Sequence, residues 1–298
     1  MIARTILALS VAAASTQAET LDLTRLVPAG SARFESTFGL DFDGPTPGEV
    51  DISSLSLFTR FNPVMLGDGL QWLPTLSYEI TSFDFDARPF GLAPGAPDLE
   101  DPMHRISFAN YFLWQPDDRW FHGLMISPEI RSSFDHLNSR DLSLSAALGS
   151  GYRFNERLII GLGIYAEDIG NDPWFIAGPA FLWNPCEKWS VSFFGPRFTA
   201  RHHFSQDSNL AFEAGWNGGQ WSIDAFGQDA KLDLDSTRAG LVYRHRIHDG
   251  WWLEAAAGMT FSNDLRVMSA GGRDLFPAVM GETGAAPYVR VGVSLMNW

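Results

Sequence analysis

The sequence predicts an all-β protein: a closed, antiparallel, up-and-down transmembrane β-barrel of about 14 strands, with about 12 as the alternative. Three observations lead to this fold class. Apolar and polar residues alternate with period two in segments of about ten residues, as strands with two different faces require. Most tryptophans lie beside short connections, and most acidic residues lie in longer ones. Both features are typical of barrels with short periplasmic turns and longer extracellular loops.

The composition limits the partners. The 298 residues include 21 Lys and Arg against 35 Asp and Glu, which gives a net charge of −14 at pH 7. Binding to phosphates requires a basic face, so this balance argues against nucleic acid as a partner. Cys186 is the only cysteine, so the chain can form neither an intramolecular disulfide nor a thiolate metal cluster. We expect no cofactor and no metal site.

The N-terminus has the features of a secretory signal. Arg4 precedes a short apolar run, and a small-x-small cleavage site ends at Ala18. We therefore predict a cleaved signal peptide at 1–18, a periplasmic N-terminal segment at 19–31 and the barrel at 32–298. The predicted location is the cell outer membrane, reached by secretion through the inner membrane. Whether the segment 19–31 enters the barrel is left open.

The strands follow from the alternation, which is clearest on both sides of the tight Asn155-Glu156-Arg157 turn. An even number of strands returns both termini to the same side, as bacterial outer-membrane barrels require. The predicted strands are 32–42, 50–61, 71–82, 104–114, 120–133, 142–154, 158–166, 174–183, 189–201, 209–217, 220–227, 237–247, 251–261 and 288–298.

The connections alternate in length and differ in charge. The short turns, predicted to be periplasmic, are 115–119, 184–188, 217–219 and 248–250. The longer connections, predicted to be extracellular, are 43–49, 83–103, 134–141, 167–173, 202–208, 228–236 and 262–287. The longer set holds 19 acidic and 5 basic residues, which accounts for the whole excess of negative charge. A solvated acidic surface is the simplest interpretation.

Divalent cations are a weaker expectation for the acidic loops, where they would bridge to anionic lipid. The oxygen ligands would come from Asp98, Glu100 and Asp101, or from Asp229, Asp233 and Asp235. Neither spacing matches a calcium-binding loop.

The tryptophans predict where the barrel meets the membrane interface. Indole rings concentrate where lipid headgroups meet the hydrocarbon, and ten of the eleven fall at the end predicted to be periplasmic. Trp174 is the exception. Turn-flanking aromatics that staple hairpins in a soluble β-protein are the alternative, but they would not favour one end of the strands. The predicted interface residues are Trp72, Trp114, Trp120, Trp183, Trp189, Trp216, Trp221, Trp251, Trp252 and Trp298.

Charged residues within the strands are predicted to face the lumen, because a basic side chain on the lipid face near mid-membrane costs about 2–4 kcal/mol. Opposite charges could pair across strands and fill a narrow interior, or they could line a wet channel. The sequence leaves both open. The predicted lumen-facing charges are Arg33, Glu35, Arg60, Glu79, Arg105, Glu129, Arg131, Glu213, Asp224, Arg244, Glu254 and Arg290.

Several motifs carry a resemblance to a known group of proteins. They are Tyr152-Arg153-Phe154-Asn155-Glu156-Arg157-Leu158 with Gly161-Leu162-Gly163, Trp183-Asn184-Pro185 with Lys188-Trp189-Ser190-Val191, Gly195-Pro196-Arg197, and Ala286-Pro287-Tyr288-Val289-Arg290-Val291-Gly292. In these segments the chain resembles outer-membrane β-barrel proteins of unknown function from Gram-negative bacteria. The resemblance covers about the last two-thirds of the chain and rests on hairpin and strand patterns.

The resemblance implies two partners, outer-membrane lipid and the outer-membrane assembly machinery, which would recognise the C-terminal strand and its terminal Trp298. One feature departs from the pattern. Val289, Val291, Val293 and Leu295 share one face, whereas Trp298 has the other parity, and a bulge near Met296 would reconcile them. The resemblance brings no catalytic residues.

Three functions remain after the sequence is read. The leading hypothesis is a noncatalytic channel or porin-like protein for small solutes. The second is a closed structural or interaction barrel with acidic surface loops. The third, more distant, is a lipid hydrolase, because His203 and Ser205 resemble the His-x-Ser pattern of outer-membrane lipid A deacylases at a predicted outer strand end. No orienting acid is identifiable for that pair, so we expect no catalytic residues.

Overall fold

A computed structural model describes residues 27–42, 48–86, 99, 101–134, 139, 141–167, 174–225, 227–269, 272–275 and 281–296. The predicted signal peptide, most of the segment 19–31 and Trp298 lie outside these residues. Among those described, no helix is long and apolar enough to cross a membrane.

The described chain consists of β-strands. Their bounds are β1 Gly30–Asp41, β2 Glu49–Arg60, β3 Val64–Gly67, β4 Leu70–Phe85, β5 Met103–Trp114, β6 Trp120–Ser132, β7 Leu142–Asn155, β8 Leu158–Glu167, β9 Trp174–Cys186, β10 Trp189–Phe194, β11 Arg197–Ser205, β12 Ser208–Ala225, β13 Gln228–His248, β14 Trp251–Ser269, β15 Gly281–Thr283 and β16 Ala286–Leu295.

Fourteen of these strands form a closed antiparallel ring, which confirms the predicted fold class. Consecutive strands pair along the sequence from β4 to β14, β14 pairs with β16, and β16 pairs with β1. The ring then continues from β1 through β2 to β4. The short strands β3 and β15 lie outside the ring and pair with β4 and β14.

The strand number is right because two errors in the prediction cancel. The predicted strand 189–201 is two strands, β10 and β11, since Gly195 adopts a φ of 56° and turns the chain with Pro196. The predicted strands 209–217 and 220–227 are one strand, β12, which runs through Gly218 and Gly219 in regular pairing with β13. The two glycines indicated a turn, but ladder hydrogen bonds on both sides keep them extended.

Because of these errors, the predicted positions of three connections near β11, β12 and β13 are wrong. The predicted outer loop 202–208 contains the end of β11 and a tight turn, at the end of the barrel where β1 begins and β16 ends. The predicted periplasmic turn 217–219 lies inside β12, and the predicted loop 228–236 belongs to β13. We call the end where β1 begins and β16 ends the short-turn end and the opposite end the long-loop end.

The outer wall of the ring is apolar, because the residues that alternate outward are large and exposed. Leu148, Leu162 and Val291 are 58%, 70% and 55% exposed. The residues between them face inward and include glycine, serine and charged side chains. This two-faced pattern is the one expected for a strand with lipid on one side and a polar lumen on the other.

Six of the predicted interface tryptophans lie at or near the short-turn end, on strand ends beside turns: Trp72, Trp114, Trp120, Trp183, Trp189 and Trp251. Three do not fit the prediction. Trp216 lies well along β12, and Trp221 lies further along the same strand, where it is only 3% exposed. Trp252 is at the short-turn end but faces inward and is 5% exposed. Parity along the strand, which the prediction ignored for these residues, decides their exposure.

Candidate functional site in the barrel lumen

The first ionic cluster lies on the inner face of β5, β6 and β8. Arg105 and Arg131 are direct partners in the register of β5 and β6, a placement that would set two like charges side by side. Glu129 resolves it, because its Oε2 lies 2.6 Å from Arg105 Nη2 and 2.7 Å from Arg131 Nη2. Arg131 Nη2 also lies 2.6 Å from Glu167 Oε1. Two arginines and two carboxylates therefore balance.

The surroundings of this cluster are tightly packed. The Tyr165 hydroxyl donates to Glu167 Oε2 at 3.2 Å. Tyr165 also packs with Ala109 and Met125 in a buried apolar group. Nearer the short-turn end, Val27 packs against inward-facing side chains of β4 and β5. The β4–β6 side of the lumen is therefore filled, in part by Val27.

The second ionic cluster lies on β1, β12, β13, β14 and β16, across the ring from the first. Glu254 is 2.7 Å from Arg244 Nε, 2.7 Å from Arg290 Nε and 3.6 Å from Arg33 Nε. Glu213 contacts Arg244 at 2.8 Å and Arg290 at 3.1 Å.

Glu35 completes the second cluster. It pairs with Arg238 through a short two-oxygen contact and lies 3.7 Å from Arg290 Nη1. Arg290 therefore contacts all three carboxylates of the cluster. Each carboxylate in turn serves more than one arginine, so the cluster has no spare negative charge.

The neighbouring strand β11 adds two further arginines. Arg197 and Arg201 face the lumen, since they alternate with the outward-facing Phe198, Ala200 and His202. Neither forms an ion pair with a residue that the structure describes, and Arg201 is 6% exposed. We call Arg33, Arg197, Arg201, Arg238, Arg244 and Arg290 the arginine wall.

Small side chains line the lumen between the two clusters. The inward positions of β7, β8 and β9 include Gly149, Gly161, Gly163, Gly178 and Ala180, all of them partly exposed. Because these inward-facing side chains are small or absent, they leave space in the lumen beside the arginine wall, whereas the β4–β6 side of the lumen is filled.

An apolar lid covers part of the long-loop end. We define it as residues 217–225 of β12, 228–236 of β13 and 263–269 of β14. Its inward face is apolar and buried, with Leu232, Leu265 and Val267 at most 1% exposed. Nearer the short-turn end, the outward face of the same strands is apolar, but in the lid the outward face carries charges. These charged residues are Asp229, Lys231, Asp233, Asp235, Asp264 and Arg266. This inversion indicates that the lid stands outside the apolar band of the barrel.

The lid packs across the mouth rather than rising from it. Trp221 meets Phe83 of β4 edge to face, with ring centroids 5.7 Å apart. The same apolar cluster includes Leu40 of β1 and Val50 of β2. A bridge between Ser222 and Ser132 joins the lid to β6. Beneath it lies a cavity of about 30 Å³, bordered by Glu35 and Glu79 among other residues.

Beside the lid, the barrel wall is shorter at the β10–β11 hairpin than at the neighbouring strands β9 and β12. Phe194 pairs with Ala180 and Arg197 pairs with Gly215, so 174–179 of β9 and 216–225 of β12 extend past the β10–β11 hairpin. We call the space above this hairpin the notch. Arg197 lies at its lower edge, next to the Gly195-Pro196 turn.

The structure places eleven of the twelve predicted lumen-facing charges on the inner face of the barrel. Nine lie in the two clusters: Arg33, Glu35, Arg105, Glu129, Arg131, Glu213, Arg244, Glu254 and Arg290. Arg60 and Glu79 face inward on β2 and β4 outside them. Asp224 must be corrected, because it is exposed on the lid and its carboxylate accepts a hydrogen bond from the Gly227 amide at 2.9 Å.

Four charged residues were missed by the sequence prediction. Glu167 was assigned to a loop, and Arg197, Arg201 and Arg238 were not counted although their strand segments were recognised. The alternation of Arg197 and Arg201 with Phe198 and Ala200 is the signal that could have identified them.

His203 and Ser205 lie at the short-turn end, and not at the outer strand end predicted for them. The Ser205 hydroxyl lies 3.1 Å from the Ser208 hydroxyl and accepts a hydrogen bond from the Asp207 amide at 3.1 Å. The Asp207 carboxylate pairs with Arg246. Ser205 therefore serves a tight turn here, and the nearby acid is engaged elsewhere.

Comparison with solved structures finds barrels of low similarity. The NanC porin is 8% identical, with 90% of this chain and 100% of that chain covered and a TM-score of 0.42. An outer membrane channel from Pseudomonas putida F1 is 10% identical, with 95% and 99% covered and a TM-score of 0.43. The KdgM porin in complex with disordered oligogalacturonate is 10% identical, with 90% and 99% covered and a TM-score of 0.38.

No curated protein matches the sequence. One family model does, over residues 99–296, which include the whole first ionic cluster and most of the arginine wall. Since that match covers well over half of the chain, the protein belongs to the family described as Domain of unknown function (DUF6268).

Proposed function

We propose that this protein is a porin-like outer-membrane channel for small solutes, and that it is not an enzyme. The observation that carries the proposal is the side of the lumen along β7–β9, where inward positions include small, partly exposed residues and the inward-facing arginines of β11 lie close by. The apolar outer wall and the tryptophans at the short-turn end support placement in the outer membrane with that end toward the periplasm.

The two ionic clusters support a polar pathway rather than an apolar one. One wall of the lumen carries excess arginine, whereas the opposite cluster is balanced, and such an uneven charge distribution creates a field across the lumen that orients polar solutes as they pass. The filled β4–β6 side narrows the path and moves it toward β7–β11. Passage would therefore follow the arginine wall.

A closed structural or interaction barrel is the second candidate, and the lid favours it. Trp221 and its neighbours bury an apolar layer across the mouth, and an apolar constriction can block ions by excluding water. The two candidates differ in whether the β7–β11 side remains open beside the lid.

Planar-bilayer recordings with the purified, refolded protein test the channel. We expect stepwise ion conductance from the wild type and a larger conductance from Trp221→Ala, which removes the indole that packs on Phe83. Trp216→Ala is the matched control, because Trp216 lies on the same strand but faces outward and is 37% exposed. Absence of conductance in both the wild type and Trp221→Ala would overturn the channel and favour the closed barrel.

We also propose that outer-membrane lipid and the assembly machinery are partners, with the C-terminal strand and Trp298 as the recognised segment. Because β16 pairs with both β1 and β14, its placement completes the ring. Removing Trp298 is expected to lower the fraction of folded barrel in the outer membrane, measured by the heat-dependent shift on a detergent gel. An unchanged folded fraction would contradict this role.

A further inference from the structure

We infer that the arginine wall is a binding site for small solutes that bear a carboxylate or phosphate group, and that it makes the channel selective for anions. The inference rests on the proposed channel and names its substrate class. It is opposite in sign to what the net charge of −14 would suggest.

The charge count is the first support. The wall holds six arginines, whereas the carboxylates within the second cluster are three: Glu35, Glu213 and Glu254. All three are already shared between arginines. Arg60 on β2 and Glu79 on β4 also face the lumen, Glu79 opposite Arg105 in the register of β4 and β5, and as one charge of each sign they do not reduce the excess.

Unsatisfied donors are the second support. Among the described residues, Arg201 Nε and Arg244 Nη1 are buried without a hydrogen-bond partner. Arg244 already pairs with Glu213 and Glu254 and offers one free donor, whereas Arg201 forms no ion pair with a described residue, so an anion that reached Arg201 would gain both charge pairing and hydrogen bonds. Carboxylate and phosphate oxygens match the planar guanidinium in geometry.

Access is the third support. Arg197 is partly exposed at the lower edge of the notch, and Arg201 lies further down the same strand face. A solute that entered beside the lid would meet Arg197 first and the buried Arg201 next. The opposite wall offers no such path, because Arg105 and Arg131 are both engaged by Glu129.

Reversal potentials in a potassium chloride gradient test the selectivity. We expect the wild type to favour chloride and the double variant Arg197→Gln/Arg201→Gln to shift the chloride-to-potassium permeability ratio toward unity. Arg157→Gln is the control, since Arg157 lies in the exposed β7–β8 turn and donates to the Pro185 carbonyl oxygen. Equal ratios for the wild type and the double variant would overturn the inference.

Binding is measured separately by isothermal titration calorimetry in detergent, with sodium succinate, sodium phosphate and uncharged erythritol as probes. We expect succinate or phosphate to bind, erythritol not to bind, and the double variant to lose the binding; the preferred probe identifies the anion class. A heat-dependent gel shift confirms that the variant is folded. Binding without conductance would overturn the channel but keep the anion site, whereas conductance without anion selectivity or binding would overturn the site alone.

Discussion

The two ionic clusters face each other across one lumen but differ in charge balance and in packing. The first pairs two arginines with two carboxylates among tyrosine and methionine side chains. The second leaves the arginine wall with more guanidinium groups than carboxylates and faces small residues. A balanced, packed cluster fixes the register of neighbouring strands, whereas an unbalanced cluster beside open space is suited to binding. The difference separates a structural wall from a functional one.

The largest expected effect comes from removing the shared carboxylate of the first cluster. Glu129 is 1% exposed, and in Glu129→Gln its two arginines would face each other with only Glu167, which contacts Arg131, as a counter-charge in the cluster. We expect the free energy of unfolding to fall by about 3–5 kcal/mol, measured by urea unfolding in lipid vesicles with tryptophan fluorescence. Glu156→Gln, in the exposed β7–β8 turn, is the control. Equal stability of both variants would show that the first cluster is not a structural element.

An intermediate effect is expected for the lid, which continues the strands of the arginine wall. Burial, with help from Asp235, raises the pKa of Asp233 to about 6. The folded lid thus favours the protonated acid, so the lid is stabilised as the pH falls through about 6 and is destabilised by ionisation above it. Asp264, Lys231 and Arg266 also lie on this face.

Conductance should therefore be lower at about pH 5 than at about pH 8, and Asp233→Asn should reduce the difference. Asp229→Asn, which removes an exposed charge from the same face, is the control. A pH response that persists in Asp233→Asn would assign the effect to another group. No comparable response is expected from the first cluster, since it lies below the lid in a packed part of the lumen.

The smallest effect is expected for Arg201→Met. Arg201 is buried without an ion-pair partner among the described residues, so an apolar side chain of similar length should leave the free energy of unfolding unchanged or raise it. Arg131→Met is the matched comparison and should be clearly destabilising, because Glu167 would lose its arginine and Glu129 would keep only Arg105. Similar losses in both variants would remove the distinction between the two walls.

The closed fold could be predicted because each strand carries its own two-faced pattern, whereas the strand number came out right through two errors that cancel. The boundaries failed where glycines gave ambiguous signals. Gly195 forms a turn inside a segment predicted as one strand, and Gly218-Gly219 lies within a strand although a turn was predicted there. Neighbouring strands decide between these outcomes, and a single sequence does not identify the neighbours in advance.

The candidate site was predictable in kind but not in arrangement. Parity placed nine charges on the inner face that also meet in the two clusters, yet it could not say that Glu129 joins Arg105 to Arg131 or that Arg197 and Arg201 form no ion pair with a described residue. Ion pairing depends on register between strands far apart in the chain, such as Arg238 with Glu35. Asp224 failed for a different reason: its segment was predicted as a separate strand, whereas in the continuous strand β12 it has the outward parity opposite to Trp221 and Ile223.

The sequence by itself determined the two-faced strands and the closed barrel that they build, because the alternation depends on residues close together in the chain. Only the tertiary structure decided which charges pair, how the strands β12–β14 close over the mouth and where the β10–β11 hairpin lowers the wall. These features depend on ring closure, which brings together strands that are distant in sequence and sets their relative heights. The negative charge of the whole chain therefore says little about a lumen whose inner wall carries excess arginine.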